Sequence, residues 1–233
     1  MNDLTHASFE ALRLLLTGDN DLWTIISISF GVSLKAIVIT IPPALAFAFV
    51  LAHTRFPGHR ALLALFQTLM SVPTVVVGLT LYLLLSRSGP LGDWKLLFTQ
   101  SAMVIGQVVL GFPIVVAMAH AAMQAADRRA WETARTLGAR PVTAMLTLMH
   151  EVRYGLIAAV LAAFGRIIGE IGCAMMLGGN ILNYTRNITT AIALETSKGE
   201  FAQGIALGLV LLLLALVLNF VMASILGKGV MVS

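Results

Sequence analysis

Two charged residues stand in an otherwise apolar run at about 154–177, and their types could support chemistry. Arg166 and Glu170 are four positions apart, so on a continuous helix they share one face and can pair. A charge at membrane depth costs about 2.5–3.5 kcal/mol on insertion scales, so such residues normally face a polar path or a protein partner. The pair therefore either borders a polar pathway or locks two helices together.

The sequence lacks the motifs of nucleotide binding and of common hydrolytic sites. No G-x-x-x-x-G-K-[ST] string occurs, so any ATP-driven action needs a second protein. The five histidines have neither i, i+4 nor H-E-x-x-H spacing, and the single cysteine, Cys173, excludes a Cys-based zinc cluster. No G-x-S-x-G string is present either. We therefore predict no catalytic residue, metal site or cofactor within this chain.

Composition indicates that these charges lie in a membrane protein. Of the 233 residues, 58% are hydrophobic and 11% are charged, and the mean hydropathy is +0.92. Soluble domains carry about 45–50% apolar and about 25% charged residues. Five apolar runs reach the roughly 20 residues that cross a bilayer. They cover about 22–52, 61–85, 98–126, 154–177 and 204–226. The predicted fold class is an all-α membrane protein with five transmembrane helices.

The runs divide the chain into three parts. Residues 1–21 form an N-terminal segment that suits the membrane interface, 22–227 form one transmembrane domain, and 228–233 form a tail. The formal net charge of +4 is small and scattered, which argues against a nucleic-acid partner.

Residues 127–153, called the charged loop below, form the one strongly charged segment and must lie in water. Asp127 suits a helix N-cap, and Gly138 suits a C-terminal position with positive φ. Pro141 restricts Arg140 to an extended conformation but suits the first position of a new helix. The loop is therefore predicted to form two helices joined by a sharp corner.

The positive-inside rule orients the five spans. Eight Lys and Arg residues fall on the side of the charged loop, and five fall on the other side. This bias predicts a cytoplasmic charged loop, an N-terminus outside and a C-terminus in the cytoplasm.

The charged loop also resembles a known element. Glu132, Thr133, Ala134 and, after three residues, Gly138 resemble the EAA loop of the inner-membrane subunits of ABC importers, whose coupling helices sit on the ATPase. The family's following Ile-x-Leu-Pro is replaced at 148–151 by Leu-Met-His-Glu, which leaves the start of the fourth span less defined. The stretches 165–181 and 185–208 resemble the molybdate, sulfate and tungstate branch, and most of all the tungstate permeases. The likeness runs from about residue 22 to the end.

This resemblance implies a type I ABC importer permease fold with a cytoplasmic coupling helix, in the inner membrane of a prokaryote. It implies a homodimer in the lipid bilayer, a cytoplasmic ABC ATPase dimer that holds ATP and Mg²⁺, and an extracytoplasmic oxyanion-binding protein. The residues that would dock on the ATPase are Glu132, Ala134, Arg135, Gly138, Ala139 and Arg140. The chain itself would be a translocation subunit and not an enzyme.

For an oxyanion, the polar connector after the fourth span offers weak donors at its presumed outer mouth. Asn180, Thr185 and Thr189 are the candidates, since hydroxyls, amides and a nearby arginine suit a tetrahedral anion. The alternative is an ordinary solvated loop with helix caps.

Glycines at small-xxx-small spacing permit close helix approach, either within one chain or between two copies. They are Gly165, Gly169 and Gly172 in the fourth span and Gly204 and Gly208 in the fifth.

Tungstate is preferred over molybdate or sulfate on family likeness alone, because these anions share charge and shape. Two other classes remain open. One is a membrane-embedded enzyme with Glu170 as acid or base and Arg166 as anion holder. The other is a channel or an ion-coupled secondary transporter, and the lack of an internal repeat weighs against the secondary transporter.

Overall fold

The computed structural model describes residues 13, 20–54, 56–125, 136, 138 and 140–230, and the regular structure in these ranges is helical. Four of the predicted docking residues, Glu132, Ala134, Arg135 and Ala139, lie outside them. The α-helices of the described residues are α1 (Asn20–His53), α2 (His59–Met70), α3 (Thr74–Leu85), α4 (Gln100–Ala125), α5 (Pro141–Glu151), α6 (Arg153–Ile168), α7 (Gly172–Gly178), α8 (Ile188–Lys198) and α9 (Phe201–Val230).

Three helices are long and apolar enough to cross a membrane without a break. They are α1, α4 and the portion Phe201–Val221 of α9. The other two predicted spans are bent pairs: α2 and α3 meet at 99°, and α6 and α7 meet at 62°. The prediction of five spans therefore holds when each bent pair counts as one span, but the second and fourth spans are not straight helices.

The bend between α2 and α3 follows from the sequence. Pro73 has no N–H to continue the helix, and its ring disfavours a helical conformation at Val72. Ser71 closes α2, with its amide donating to the carbonyls of the last turn. In the sequence, Pro73 was the residue that indicated this interruption.

The break in the fourth span corrects one prediction. Helix α6 ends at Ile168, so Glu170 lies beyond it and does not share a continuous helical face with Arg166. Gly169 and Gly172 flank the break, and a glycine costs about 1 kcal/mol relative to alanine within a helix. Glu170 instead contacts the first turn of α7, where its Oε1 accepts a hydrogen bond of 3.0 Å from the Cys173 amide.

Helix α4 is at the centre of the molecule and packs against α1, α2, α3, α6 and α7. The interface between α1 and α4 contains fully buried small residues, among them Ala36, Ala44 and Ala119. Lipid tails are as apolar as leucine, so close van der Waals packing of small residues holds membrane helices together. The outer face of α9, with Leu213 65% and Phe220 71% exposed, is suited to lipid.

Candidate functional site

The break between α6 and α7 holds the charged pair found in the sequence. Arg166 Nη1 and Glu170 Oε2 are 3.0 Å apart, so the predicted pairing is confirmed although its helical geometry differs. The Glu170 side chain is buried, whereas that of Arg166 is 47% exposed. One carboxylate oxygen binds the guanidinium, and the other binds the Cys173 amide. The buried carboxylate thus fixes a partly exposed positive charge beside the bend.

The backbone of the break is tied to the start of α8. Thr189 Oγ1 donates to the Glu170 carbonyl at 2.8 Å and is 3% exposed. Asn187 caps α8 through its Oδ1, which accepts from the Thr190 amide at 2.9 Å, and the Thr190 hydroxyl accepts in return from the Asn187 amide. Thr189 therefore links the start of α8 to the break after α6 through a buried hydrogen bond.

The loop between α7 and α8 is organised by its own polar residues. Thr185 is fully buried, donates to the Gly178 carbonyl and accepts from the Ile181 amide. Asn180 has a positive φ of 53°, and its Nδ2 donates to the Thr190 carbonyl at 3.5 Å, while its Oδ1 is buried without a partner among the described residues. Thr185 thus closes the loop, and its hydroxyl is engaged by the backbone.

A serine in the first helix completes this region, and sequence reasoning missed it. Ser29 of α1 is 3% exposed, and its Oγ accepts a hydrogen bond of 2.7 Å from the Ile188 amide at the start of α8. The first amides of a helix have no intrahelical partner, so this hydroxyl satisfies one of them. The two residues are 159 positions apart, and no local pattern marks their contact.

Gln107 was also missed. It is 3% exposed on α4, and its Nε2 donates to the Ile167 carbonyl at 3.3 Å, in the last turn of α6. Its Oε1 is buried with no partner among the described residues. A glutamine inside an uncharged apolar run was the signal available in the sequence, since a buried amide needs partners.

A second buried carboxylate lies in α8. Glu195 is 3% exposed and pairs with Lys198, whose Nζ is 3.1 Å from Oε1. Its backbone carbonyl accepts from the Glu200 amide, which helps to end the helix at Gly199. The i, i+3 spacing of the pair was readable, but the burial of Glu195 was not.

The predicted packing glycines differ in their surroundings. A Cβ at Gly172 would lie 2.6 Å from Val75 Cγ2, so α7 approaches α3 closely there. An added Cβ would lie 3.8 Å from its nearest neighbour at Gly165 and 3.7 Å at Gly204, and at Gly208 no atom of the described residues lies within 4 Å. Gly169 faces only the Gly165 carbonyl, at 3.8 Å. Within one copy of the chain, close helix approach is observed at Gly172 and not at the other four.

The corner of the charged loop has the predicted backbone where it is described. Gly138 has φ of +82°, Arg140 is extended, and α5 begins at Pro141. Helix α5 buries Ala144 and Leu148 and leaves Val142 and Leu146 exposed, by 64% and 57%. These residues present an apolar surface next to the corner.

The junction between α5 and α6 lies at the position where the family has Leu-Pro and this chain has His150 and Glu151. His150 and Glu151 form the end of α5, and α6 begins at Arg153 after the single residue Val152. Arg153 Nη1 donates to the His150 carbonyl at 2.7 Å, which satisfies an acceptor at the end of α5. The guanidinium also lies over the Tyr154 ring, 4.6 Å from its centroid. An arginine therefore stabilises the junction between the two helices.

Taken together, these features define a class: a helical membrane protein with three unbroken spans and two bent ones, one of which contains a charged pair at its bend. Residues 44–228 match the family described as the inner membrane component of binding-protein-dependent transport systems. The chain belongs to this family. Members are translocation components and not enzymes, and the family implies an ATPase and a binding protein as partners in a membrane.

Individual relatives support this assignment. The chain is 42% identical to the tungstate uptake system permease protein TupB of Campylobacter jejuni over 91% of this chain and 89% of the relative. It is 30% identical to the molybdenum transport system permease protein ModB of Escherichia coli K12, over 76% and 82%. Among solved structures, a chain of the inward-facing MetNI methionine ABC transporter matches with a TM-score of 0.64 and 16% identity, over 94% of this chain and 97% of that one. The last comparison shows the ABC importer permease fold.

Proposed function

We propose that this chain is the membrane-spanning permease subunit of an ATP-driven importer of a tetrahedral oxyanion, with tungstate as the substrate. The choice of tungstate is supported by the likeness to the Campylobacter tungstate permease over nearly the whole length of both chains. The more distant molybdenum permease makes molybdate the second candidate, and sulfate follows on the same chemistry.

The partners follow from the same proposal. Two copies of the chain form the pathway, an ABC ATPase dimer holds ATP and Mg²⁺, and an extracytoplasmic protein delivers the anion. The ATPase docks on the charged loop at Glu132, Ala134, Arg135, Gly138, Ala139 and Arg140. Support comes from the sharp corner at Gly138 and the exposed apolar side chains Val142 and Leu146 beside it.

The orientation places the charged loop and the C-terminus in the cytoplasm and the N-terminus outside. The distribution of Lys and Arg between the two sides supports it. Fusions of alkaline phosphatase and of green fluorescent protein to the C-terminus test it. We expect fluorescence without phosphatase activity, and active phosphatase would reverse the orientation.

Within the pathway, Arg166 is the residue proposed to meet the anion. Its guanidinium is partly exposed at the break, and Glu170 offsets its charge. A conducting site must attract an ion weakly enough to release it. A guanidinium already paired with a carboxylate meets that requirement better than a free one. Asn180, Thr185 and Thr189 are engaged in the loop and the helix start, which favours their structural role.

Calorimetry on the cognate binding protein tests the substrate. That protein is titrated with tungstate, molybdate and sulfate, and the same three anions are supplied to cells that express the complete importer in a strain lacking its own oxyanion importers. We expect the tightest binding and ATP-dependent uptake for tungstate. Preference for molybdate in both assays would move the assignment to the second candidate, and uptake that needs no ATPase would reject the ABC importer.

A further inference from the structure

The loop that joins α3 to α4, residues 86–99, is called the tryptophan loop below. Helix α4 runs without a break from Gln100 to Ala125, so this loop and the charged loop lie at opposite ends of a membrane span. The tip of the loop is a short 3₁₀ helix, Gly92–Trp94. Trp94 is 65% exposed, compared with 51% for Trp23. The chain thus presents a large aromatic side chain on the side of the membrane away from the charged loop.

The tryptophan loop is tightly wound by its own backbone. The Leu91 amide donates to the Leu84 carbonyl at 3.0 Å, and the Lys95 amide donates to the Gly92 carbonyl at 3.1 Å. A Cβ added at Gly92 would collide with the Ser86 carbonyl oxygen, so the turns of the loop pass close to one another. A side chain held on a pre-ordered loop loses little further backbone entropy when it binds a partner. The loop therefore offers Trp94 in a fixed position.

The end of the tryptophan loop is attached to helix α7. The Phe98 amide donates to the Leu177 carbonyl at 2.8 Å. The Phe98 ring lies against Gly179, where an added Cβ would be 2.7 Å from the ring, and its centroid is 6.3 Å from that of Tyr82. The loop is thus held between α3 and the last turn of α7.

The surroundings of Trp94 suit a protein interface better than lipid. Asp93 and Lys95, which carry opposite charges, flank it and are exposed. Protein interfaces are enriched in tryptophan at their centre and have a polar rim, and a few such residues supply most of the binding energy. Trp23 is the contrasting case, because it lines an apolar groove between α1 and α9 that is suited to lipid.

We propose that the tryptophan loop is a docking surface for the extracytoplasmic binding protein, with Trp94 as its anchor. This inference rests on the proposed function and adds the surface that recognises the partner. The family is described as dependent on a binding protein, and in the proposed orientation that protein meets the side opposite the charged loop, where the tryptophan loop lies. A second copy of the chain fits less well, because copies in one bilayer meet along their spans and Trp94 lies between two of them.

Docking at this loop would place the binding protein close to the charged break. Helix α7 has seven residues. Its last turn accepts the Phe98 amide, and its first turn holds Glu170 through the Cys173 amide. Only this short helix separates the tryptophan loop from the ion pair of Arg166 and Glu170.

The first test measures binding to the complete importer, the chain with its ATPase, in nanodiscs. Biolayer interferometry follows the cognate binding protein, loaded with whichever of tungstate, molybdate or sulfate it binds. Trp94→Ala should weaken binding by about tenfold or more, as the loss of a central interface tryptophan does. Trp23→Ala is the matched control and should leave binding within about twofold. Because Trp94 is exposed, the variant should keep its melting temperature and its association with the ATPase.

The outcomes separate this inference from the proposed function. Binding to wild type that is equal in Trp94→Ala would overturn the docking surface and leave the importer intact. A wild-type complex that does not bind the protein would reject the importer and the docking surface together.

The second test identifies what touches position 94. The photoreactive p-benzoylphenylalanine is incorporated there in the complete importer, the binding protein is added, and the adducts formed on illumination are identified by mass spectrometry. We expect an adduct with the binding protein, and none when the same residue is placed at position 23. Adducts at position 94 with phospholipid alone, or with a second copy of the chain alone, would overturn the proposal and name the surface that covers Trp94 instead.

Discussion

Glu170 holds Arg166 at 3.0 Å across the point where the fourth membrane segment changes direction. The carboxylate is buried and also accepts the Cys173 amide of the following helix, so the bend and the ion pair are built from the same side chain. Arg166 projects from this anchor with nearly half of its side chain exposed. A bilayer-embedded charge is thereby kept in one place and partly neutralised.

Substitutions in this pair should have unequal effects. Arg166→Gln leaves a buried carboxylate without its counterion, and breaking a buried pair in this way costs about 3–5 kcal/mol. Because Arg166 is partly exposed, we expect the lower end of that range. Glu170→Gln keeps an acceptor for the Cys173 amide and should cost less. Thermal unfolding in detergent measures both, with the exposed Arg87→Gln as control; equal and negligible shifts for the pair would contradict the assignment.

Gly138 should be needed at the corner of the charged loop because of its position as well as its conformation. Gly138 and Gly199 have the same φ of +82°, and no atom of the described residues lies within 4 Å of a Cβ added at either position. The left-handed strain of Trp is therefore equal at both, about 1–2 kcal/mol. Gly138→Trp should abolish co-purification with the ATPase and oxyanion uptake, whereas Gly199→Trp should keep ATPase association. Retained association in Gly138→Trp would count against docking at this corner.

Gly172 should tolerate no side chain, because α3 lies against it. A Cβ there would meet Val75 at 2.6 Å, and overpacking of this kind costs about 1–3 kcal/mol. Gly31 is also within a helix, and no atom of the described residues outside its own helix backbone lies within 4 Å of a Cβ added there. Gly172→Ala should lower the melting temperature and Gly31→Ala should leave it unchanged or raise it slightly, because alanine favours the helix. The opposite order would show that α3 and α7 are not packed as described.

Ser29 should matter more than its neighbour Ser27. Ser29→Ala removes the acceptor of the buried Ile188 amide, and an unsatisfied buried donor costs about 1–3 kcal/mol. Ser27 is exposed, and among the described residues it donates to the Thr24 carbonyl of its own helix, at 2.8 Å, so Ser27→Ala is the control. Hydrogen exchange at the start of α8 reads the effect directly. Faster exchange of the Ile188 amide in Ser29→Ala alone is the expected result, and equal exchange in both variants would contradict it.

Much of the architecture was predictable because it depends on local chemistry. The five apolar segments, the interruption at Pro73 and the corner between Gly138 and Pro141 follow from hydropathy and backbone restrictions at single positions. These signals act over a few residues, and so the sequence alone contains them.

The arrangement of the site was less predictable because it depends on contacts between distant segments. The spacing of four residues correctly predicted the ion pair of Arg166 and Glu170. It could not show that the helix ends at Ile168, between the two residues. The contact between Ser29 and Ile188 and that between Gln107 and Ile167 join separate spans. Such partners are fixed by packing, which periodicity does not encode.

We propose that this chain carries a tetrahedral oxyanion in a process driven by ATP hydrolysis on a partner. The direct measurement is tungstate accumulated in proteoliposomes that contain the chain with its ATPase and receive the loaded binding protein. We expect accumulation with ATP and Mg²⁺, none with a non-hydrolysable ATP analogue, and a loss of accumulation in Gly138→Trp. Accumulation that proceeds without ATP, or that is unchanged when the ATPase is left out, would contradict it.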